Sequence, residues 1–452
     1  MASLRSHFAR ADRVVATVLV IAILAYIGWR AVTSPEQALQ FGFNGVSVGA
    51  VYALMAIGFT LVYSTVWFFD LYYGAAAALG AYGVFYLRSQ EWLGGQYQVN
   101  TPVVNVFFAL LVVGVAAWAI YAVLRGRLRG RISDTVLKIT VGLLAIGLGV
   151  YTWAILTYPR ELHQVFGPAV AIAVGIGFVL ILRALYERVA GRTGLRVCTA
   201  VVGVLAVALA LFVGSYIFHS PGSKLYLSWV VSSLLAGTVA LALYRGLYVH
   251  MRQRSRSPLI MLVASLGILL ALSAAISIVF ASAPRPLPDP FGTVPWTIGG
   301  AFVKGFNFFV VGVAIAGFLG LYGVLKWTSF GRAVRAIGDD EEVSKVVGIN
   351  TTMIIAIVFF VGAIFAAMAG ILSGHDTAIQ PRMGLLLLLK GWIASVVGGI
   401  GNLYGAILGG FILGVIEQFA IWDLAGEWKD VVAFVLLILF LSFWPRGLLP
   451  RK

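Results

Sequence analysis

Charge is what this chain has least of. Asp, Glu, Lys and Arg together make up 11% of its 452 residues, against about 25% in an ordinary soluble domain. A water-facing globular surface cannot be built from so little. A single cysteine, Cys198, excludes an internal disulfide framework and any CxxC metal site. The five histidines stand apart at 8, 163, 219, 250 and 375, so no helical zinc motif exists and no metal is expected. No GxxxxGK[ST] phosphate loop or HExxH sequence occurs either, which argues against nucleotide-hydrolysing and zinc-hydrolase chemistry. If the protein's work needs ATP and Mg, another chain must hold them, and no cofactor is expected on this one.

Apolar sequence is abundant: 61% of residues are hydrophobic and the mean hydropathy is +0.98. Runs of about 20 residues, enough to cross a bilayer as a helix, recur near 14–31, 42–64, 71–88, 103–124, 136–158, 167–185, 196–218, 226–244, 258–281, 306–326, 353–373, 385–401, 403–422 and 430–444. The pattern predicts an all-α polytopic transmembrane helix bundle of about 14 spans (12–14), because short glycine-rich runs can be re-entrant. The net charge of +15 does not require nucleic acid. With the N-terminus inside, 23 of the 32 Lys and Arg fall on the cytoplasmic side, as the positive-inside bias demands, and both termini are then cytoplasmic. The N-terminal MASLRSHFARADR segment precedes an apolar run with no small-residue cleavage site after it, and reads as the start of a retained helix.

One charged island interrupts the apolar runs, Thr328 to Asn350, with four acids in succession from Asp339 to Glu342. Ser329 is placed to cap a first short helix and Gly338 to end it. Asp339 and Glu342 have capping-box spacing for a second, which Gly348 can close. Phe330, Val334 and Ile337 then share one face of the first helix, and Val343, Val346 and Val347 one face of the second. Arg332, Arg335, Glu341 and Lys345 lie mostly elsewhere. Such an element suits docking, whereas a solvated connector is the plainer alternative. Asn350 is expected to bond local backbone.

Inside the apolar runs, Lys390 and Glu417 are isolated formal charges, each costing about 2.5–3.5 kcal/mol at the bilayer centre unless paired or wetted. Both are expected about 8 Å deep on the outer side, either as a pair, as cavity-lining groups, or as separately snorkelling side chains. Asp70 lies among Phe68, Phe69, Tyr72 and Tyr73. It could receive an ammonium or amide group, with Tyr73 beside it, or cap the helix beginning at Leu71. Asn44, at the expected start of its helix, is a further candidate for the solute pathway or for local backbone bonding. Gly398, Gly401, Gly405, Gly409 and Gly414 form overlapping GxxxG spacings with Gly399 and Gly410, a pattern that lets helices approach closely and is read as architectural.

Three segments carry a family resemblance. They are NGVSVGAVYALMAIGFTLVY (44–63) with FFDLYYGAAAALGAY (68–82), FGRAVRAIGDDEEVSKVVGIN with the span after it, and GLLLLLKGWIASVVGGIGNLYGAILGGFILGVIEQF with WKDVVAFVLLILFLSFWPRGLL. Together the chain resembles membrane permeases of the branched-chain amino-acid type of ABC importer, a family that includes urea and short-amide permeases. The resemblance implies a prokaryotic inner-membrane subunit and divides the chain into an extra N-terminal span (1–40), a first permease segment (41–90), an insertion of roughly four helices (91–225) and a main segment (226–452). It also implies that loop 328–350 couples to cytoplasmic ATPases, through Phe330, Arg332, Val334, Arg335, Gly338, Asp339, Glu342, Val343, Val347, Gly348 and Asn350. Further expected partners are a second permease subunit, identical or homologous, two ABC ATPases carrying ATP and Mg, an extracytoplasmic solute-binding protein, and membrane lipid. Where the family has an Asn-Phe-Ala-His-Gly run, this chain has Asp70 to Gly74. The rival reading is a stand-alone secondary transporter, for which the only intramembrane ionisable groups are Asp70, Lys390 and Glu417.

The orientation is open to direct labelling. In a version lacking Cys198, single cysteines at Gln96 and Ser223 should react with an impermeant maleimide from outside, and one at Ser255 should not. Equal labelling of all three contradicts the assigned topology.

Overall fold

The computed structural model describes residues 25–92, 101–128, 133–189, 195–220, 222–254, 257–288, 290–291, 295–444 and 447–449. The N-terminal segment within residues 1–24, Gln96 and Ser255, used above in orienting the chain, lie outside them, as do Arg129, Arg131, Arg192, Arg256, Arg446, Arg451 and Lys452, which count among the 23 cytoplasmic Lys and Arg. Helices make up almost everything else. Nine helices among the described residues are long and apolar enough to cross a membrane, and Leu205–His219 and Met383–Gly398 are shorter apolar helices. The protein is thus an all-α polytopic membrane bundle.

The chain divides into two compact units, Gly83–Val231 and the remainder. In the Gly83–Val231 unit, α3 (Pro102–Leu128) pairs with α4 (Asp134–Thr157), and α5 (Leu162–Val189) with α6 (Leu195–His219). Leu110, Leu143, Leu211 and Phe212 are each about two-thirds exposed, a composition suited to lipid rather than water. The polar exception is Asn105, which accepts a hydrogen bond from the Tyr86 hydroxyl at 2.7 Å and is buried.

The larger unit is organised around α1, Pro35–Val66. Proline at the first position starts the helix without sacrificing a backbone hydrogen bond, seven residues earlier than the apolar run suggests. Asn44 therefore sits well inside the helix, not at its start. The apolar window of α1 is 89% buried. It is wrapped by α10 (Gly305–Trp327), α13 (Thr351–Asp376), α14 (Met383–Gly398) and most extensively by α15 (Leu403–Ala420). At Gly414 the α15 backbone lies against Gly49 and the Gly45 carbonyl of α1, leaving no room for a side chain. Between α14 and α15, Gly398 and Gly405 meet backbone to backbone, and Gly409 lies on the Ala394 carbonyl. Gly399 (φ 118°) and Gly401 (φ 84°) make the turn that reverses the chain there. The glycine series thus packs helices of this chain against one another.

The remaining elements of this unit are α2 (Tyr72–Trp92) through Tyr82, α7 (Ser223–Leu243) from Ser232, and a π-helical segment Tyr244–Tyr248. This segment runs without a break into α8 (Val249–Arg254). The stretch between the expected 226–244 and 258–281 spans is therefore helical over its described residues 245–254. After α9 (Pro258–Phe280), a two-stranded antiparallel hairpin, β1 (Trp296–Ile298) and β2 (Ala301–Val303), precedes α10. At the other end of α10 come α11 (Ser329–Asp339) and α12 (Glu341–Val346), and α16 (Trp428–Phe443) closes the bundle.

Filling the α1–α15 contact should be costly. Gly414→Val forces two helix backbones apart, and overpacking of this kind typically costs about 1–3 kcal/mol. The expected outcome is a lowered melting temperature of the detergent-solubilised protein, whereas Gly312→Val, where nothing lies within 4 Å of an added methyl, should leave it unchanged.

Candidate functional site

Two short helices form at the charged island, with caps displaced by one residue from expectation. Thr328, not Ser329, caps α11. Its extended backbone (φ −100°, ψ 161°) lets its hydroxyl accept from Gly331 N at 3.2 Å, whereas Ser329 is already helical. Gly338 does not end α11. The helix runs one residue further, to Asp339, and the Gly338 carbonyl accepts from the Trp67 indole at 2.8 Å. Asp340 caps α12, accepting from Val343 N at 3.0 Å, so the expected Asp339–Glu342 box is absent. Gly348 closes the second helix as its spacing requires, in a left-handed conformation (φ 93°) and donating to the Lys345 carbonyl at 3.0 Å. Asn350 caps α13 by accepting from Met353 N at 3.2 Å.

The two helices present different surfaces. Val334 and Ile337 of α11 are buried against this chain and Phe330 is half-buried, while Arg332 and Arg335 point away. The Arg335 guanidinium donates to the Leu325 carbonyl at 2.6 Å, and Gly331 abuts the Leu325 backbone, so α11 is clamped to the end of α10. On α12, by contrast, Val343, Val346 and Val347 are 58%, 88% and 74% exposed. Glu341 pairs with Arg252 of α8 and with Lys345 at 2.8 Å. A cleft of about 500 Å3 lies beside these residues, bounded by Val66, Phe68, Arg252, Asp340 and Thr352.

The island is tied to the bundle interior through the segment after α1. Trp67 takes a left-handed backbone conformation (φ 56°), unfavourable for any residue with a Cβ, and its indole bond to Gly338 holds it there. Asp70 is buried; one carboxylate oxygen accepts from Tyr72 N at 3.0 Å and from the Tyr248 hydroxyl at 2.7 Å. Leu71 N donates to the Ser265 hydroxyl at 3.1 Å. Asp70 thus caps the start of α2, and Tyr73, fully buried with its hydroxyl on the Phe359 carbonyl at 3.4 Å, belongs to the packed interior.

Lys390 and Glu417 meet. The ammonium lies 2.7 Å from the Glu417 carboxylate, 3.0 Å from Asp430 and 3.1 Å from the Tyr52 hydroxyl. The Glu417 side chain is 1% exposed and Asp430 is 45% exposed, so Lys390 joins a buried carboxylate to a wetter one and links α14, α15, α16 and α1. Tyr52 and Asp430 were not singled out from sequence. Asp430 sits at the edge of an apolar run and Tyr52 within one, and neither spacing flags a partner. Asn44 accepts from the Asn307 side chain at 3.3 Å instead of bonding backbone.

Comparison with known proteins decides the family. The family model for the branched-chain amino acid transport system permease component matches residues 200–441. The chain belongs to this permease family. The permease is 34% identical to the high-affinity branched-chain amino acid transport system permease protein LivH of Salmonella typhimurium over 224 residues, covering 48% of this chain and 72% of that one. It is equally identical to BraD of Pseudomonas aeruginosa, over 50% of this chain and 73% of the relative. The fructose import permease protein FrcC of Rhizobium meliloti is 29% identical over 28% of the permease and 38% of its own length. No solved structure matches the permease. It is a multi-pass protein of the prokaryotic inner membrane, with transport permease subunits as its relatives.

The Lys390 cluster is testable by a double-mutant cycle. Lys390→Met strands Glu417 in an apolar site, an expected loss of about 3–5 kcal/mol, and adding Glu417→Gln should restore most of it. Asp430→Asn alone, at a half-exposed carboxylate, should cost about 1 kcal/mol or less. Melting temperature and yield of the solubilised protein read all three, and additive losses contradict direct pairing.

Proposed function

We propose that the protein is the translocation subunit of an ATP-driven importer for branched-chain amino acids or related small polar solutes such as urea and short amides. It would bind no nucleotide itself and would couple to cytoplasmic ATPases through residues 328–350. The observation that carries this reading is the exposed valine ridge of α12. Three large apolar side chains stand in solvent on a helix whose caps, ion pairs and neighbour α11 are fixed to the bundle. Exposed apolar clusters with a charged rim mark contact surfaces, and a push on a rigid element is transmitted instead of absorbed.

Two links would carry that push inward: Glu341 to Arg252 on α8, and Gly338 to Trp67 at the end of α1. Both reach the Asp70–Tyr248 bond, which joins the α1–α2 turn to the π-helical segment. Alternating access then amounts to α1 and its glycine-packed neighbours moving relative to α7–α9. Two ATPases holding ATP and Mg, a second permease copy or homologue, and a solute-binding protein at the opposite face complete the machine. We assign the helices of residues 91–225, which lie within the Gly83–Val231 unit, to an addition inserted into the permease core, which comprises roughly 41–90 and 226–452 and is preceded by an extra span in 1–40.

Val343→Asp tests the coupling surface. The residue is exposed and outside the bilayer, so insertion and folding should survive, while an unpaired carboxylate in a desolvated contact costs several kcal/mol. Co-purification with the ATPase and solute-stimulated ATP hydrolysis in proteoliposomes should each fall by about tenfold or more. Normal values for both would reduce the island to a solvated connector.

A further inference from the structure

We propose that the end of the bundle opposite the island holds a tightly bound anionic phospholipid, with one acyl chain in an apolar groove between α1, α10 and α15 and its phosphate at Lys304 and Lys429. The groove holds about 840 Å3. Pro35, Leu39, Phe43 and Val46 line it from α1, and Leu39, Val46 and Phe308 of its walls are each about two-fifths exposed. In a chain that spans the bilayer, such side chains face hydrocarbon. From Pro35 to Val46 the groove follows α1 for about 16 Å, against about 15 Å for one leaflet of the hydrocarbon core. One acyl chain fits it lengthwise. The proposal needs only a membrane-spanning chain and holds whichever solute the permease carries.

The same turns of α1 carry a second, polar stripe. Gln40, Asn44 and Ser47, at helical spacing, line a smaller cleft of about 270 Å3. Asn307 of α10 lines both cavities and donates to Asn44 at 3.3 Å, so groove and cleft meet at this amide pair. Along one side of α10 the chemistry then changes in the order of a lipid. Lys304, just before the helix, and Asn307 face the cleft, and Phe308 and Val311, four and seven residues after Lys304, face the groove. Lys304 precedes α10 and the island follows it, so the lipid belongs to the leaflet away from the island. Trp296 and Trp428, 60% and 50% exposed, stand at this end, and the Trp296 ring lies 6.0 Å from that of Phe308. Exposed indoles of this kind mark the level of lipid head groups.

The cleft offers a head group two ammonium groups and an amide. Lys304 and Lys429 both line it, and neither has a carboxylate partner among the described residues. Gln418 lines it too, is 6% exposed, and its side chain has no hydrogen-bond partner among the described residues. An amide buried in that state costs free energy until a ligand or water completes it. Asp376, the other charged wall residue, is already engaged within the protein, so the charges left to be met are the two ammonium groups. A phosphodiester meets them through charge-assisted hydrogen bonds. A soluble anion would leave the groove empty, and a zwitterionic lipid would bring its own cation toward two lysines.

The test uses the whole delipidated permease, with the affinity of the first lipid bound read by native mass spectrometry. The probes are a phosphatidylglycerol, a phosphatidylcholine with the same chains, and sn-glycerol 3-phosphate, which has the phosphate and no chain. Each lysine near an anionic lipid surface is worth roughly fivefold in affinity, so phosphatidylglycerol should bind about tenfold or more above the other two. Lys304→Gln with Lys429→Gln should bring it down to the level of phosphatidylcholine. Gly42→Leu fills the groove at a position where nothing lies within 4 Å of an added methyl. It should weaken both lipids by about tenfold and leave the melting temperature of the lipid-free protein unchanged. Equal affinity for the two lipids, a preference that survives the lysine substitutions, or unchanged lipid binding in Gly42→Leu overturns the proposal. So does glycerol 3-phosphate binding as tightly as the lipid, which makes the cleft a soluble-anion site. An altered assembly mass in Gly42→Leu with unaltered lipid binding makes the groove a contact between copies and overturns it as well.

Discussion

Everything in the larger unit depends on how closely other helices approach α1. Within a bilayer, apolar side chains gain little from leaving lipid for protein, so helices hold together by van der Waals contact and by satisfied polar groups. Gly45, Gly49 and Gly58 of α1 face Val415, Phe411 and the Gly362 carbonyl across gaps too narrow for a methyl group, and Gly414 and Gly410 return the contact from α15. The close fit buries α1 from Gly49 to Val62 and leaves the polar groups there to find partners within the protein. Thr60 meets the Ser395 hydroxyl at 2.7 Å, and Tyr52 meets Lys390. The same fit brings Lys390, Glu417 and Asp430, from three other helices, within reach of one another.

The two ends of this core differ in kind. At the island end, short capped helices are fastened by hydrogen bonds and an ion pair, and they expose an apolar ridge. At the other end, ionised and amide side chains surround open space. Surfaces built to touch a folded partner are apolar at the centre with a charged rim, whereas small-solute sites are concave with a few placed polar groups. The helices between the two ends, α10 and α13 among them, connect them mechanically.

Much of the architecture was legible because bilayer-crossing helices announce themselves by length and composition. The glycine spacings from 398 to 414 and the Gly348 stop could be read directly, each resting on a local rule, whereas the Lys390–Glu417 pair was one of three alternatives that their positions left open. The failures came where tertiary contacts overrode local signals. Ser329 and Asp339 look like caps, but cap position is set by which residue takes extended backbone geometry, and the tight α10–α11 corner around Gly331 shifts it. Gly338 looks like a terminator, yet α11 continues past it while its carbonyl takes the Trp67 indole. At Asp70 the local rule offered two alternatives, and the capping one forms, with the Tyr248 hydroxyl arriving from far along the chain.

The π-helical segment Tyr244–Tyr248 has a consequence of a different sort. A wider turn accommodates one more residue than an α turn, so every side chain beyond it is rotated by about 100° relative to an uninterrupted α-helix. Tyr244, before the shift, stacks near Phe359 with ring centroids 5.0 Å apart. Tyr248, at its end, keeps a contact with the same ring at 5.6 Å while its hydroxyl reaches Asp70, and Arg252, one turn further, reaches Glu341. The segment thus sets the rotational register in which Tyr248 and Arg252 meet Asp70 and Glu341. Its length, more than its composition, is what the chain must keep constant. Loss of one residue there would leave Arg252 chemically intact and aim it at the wrong neighbours.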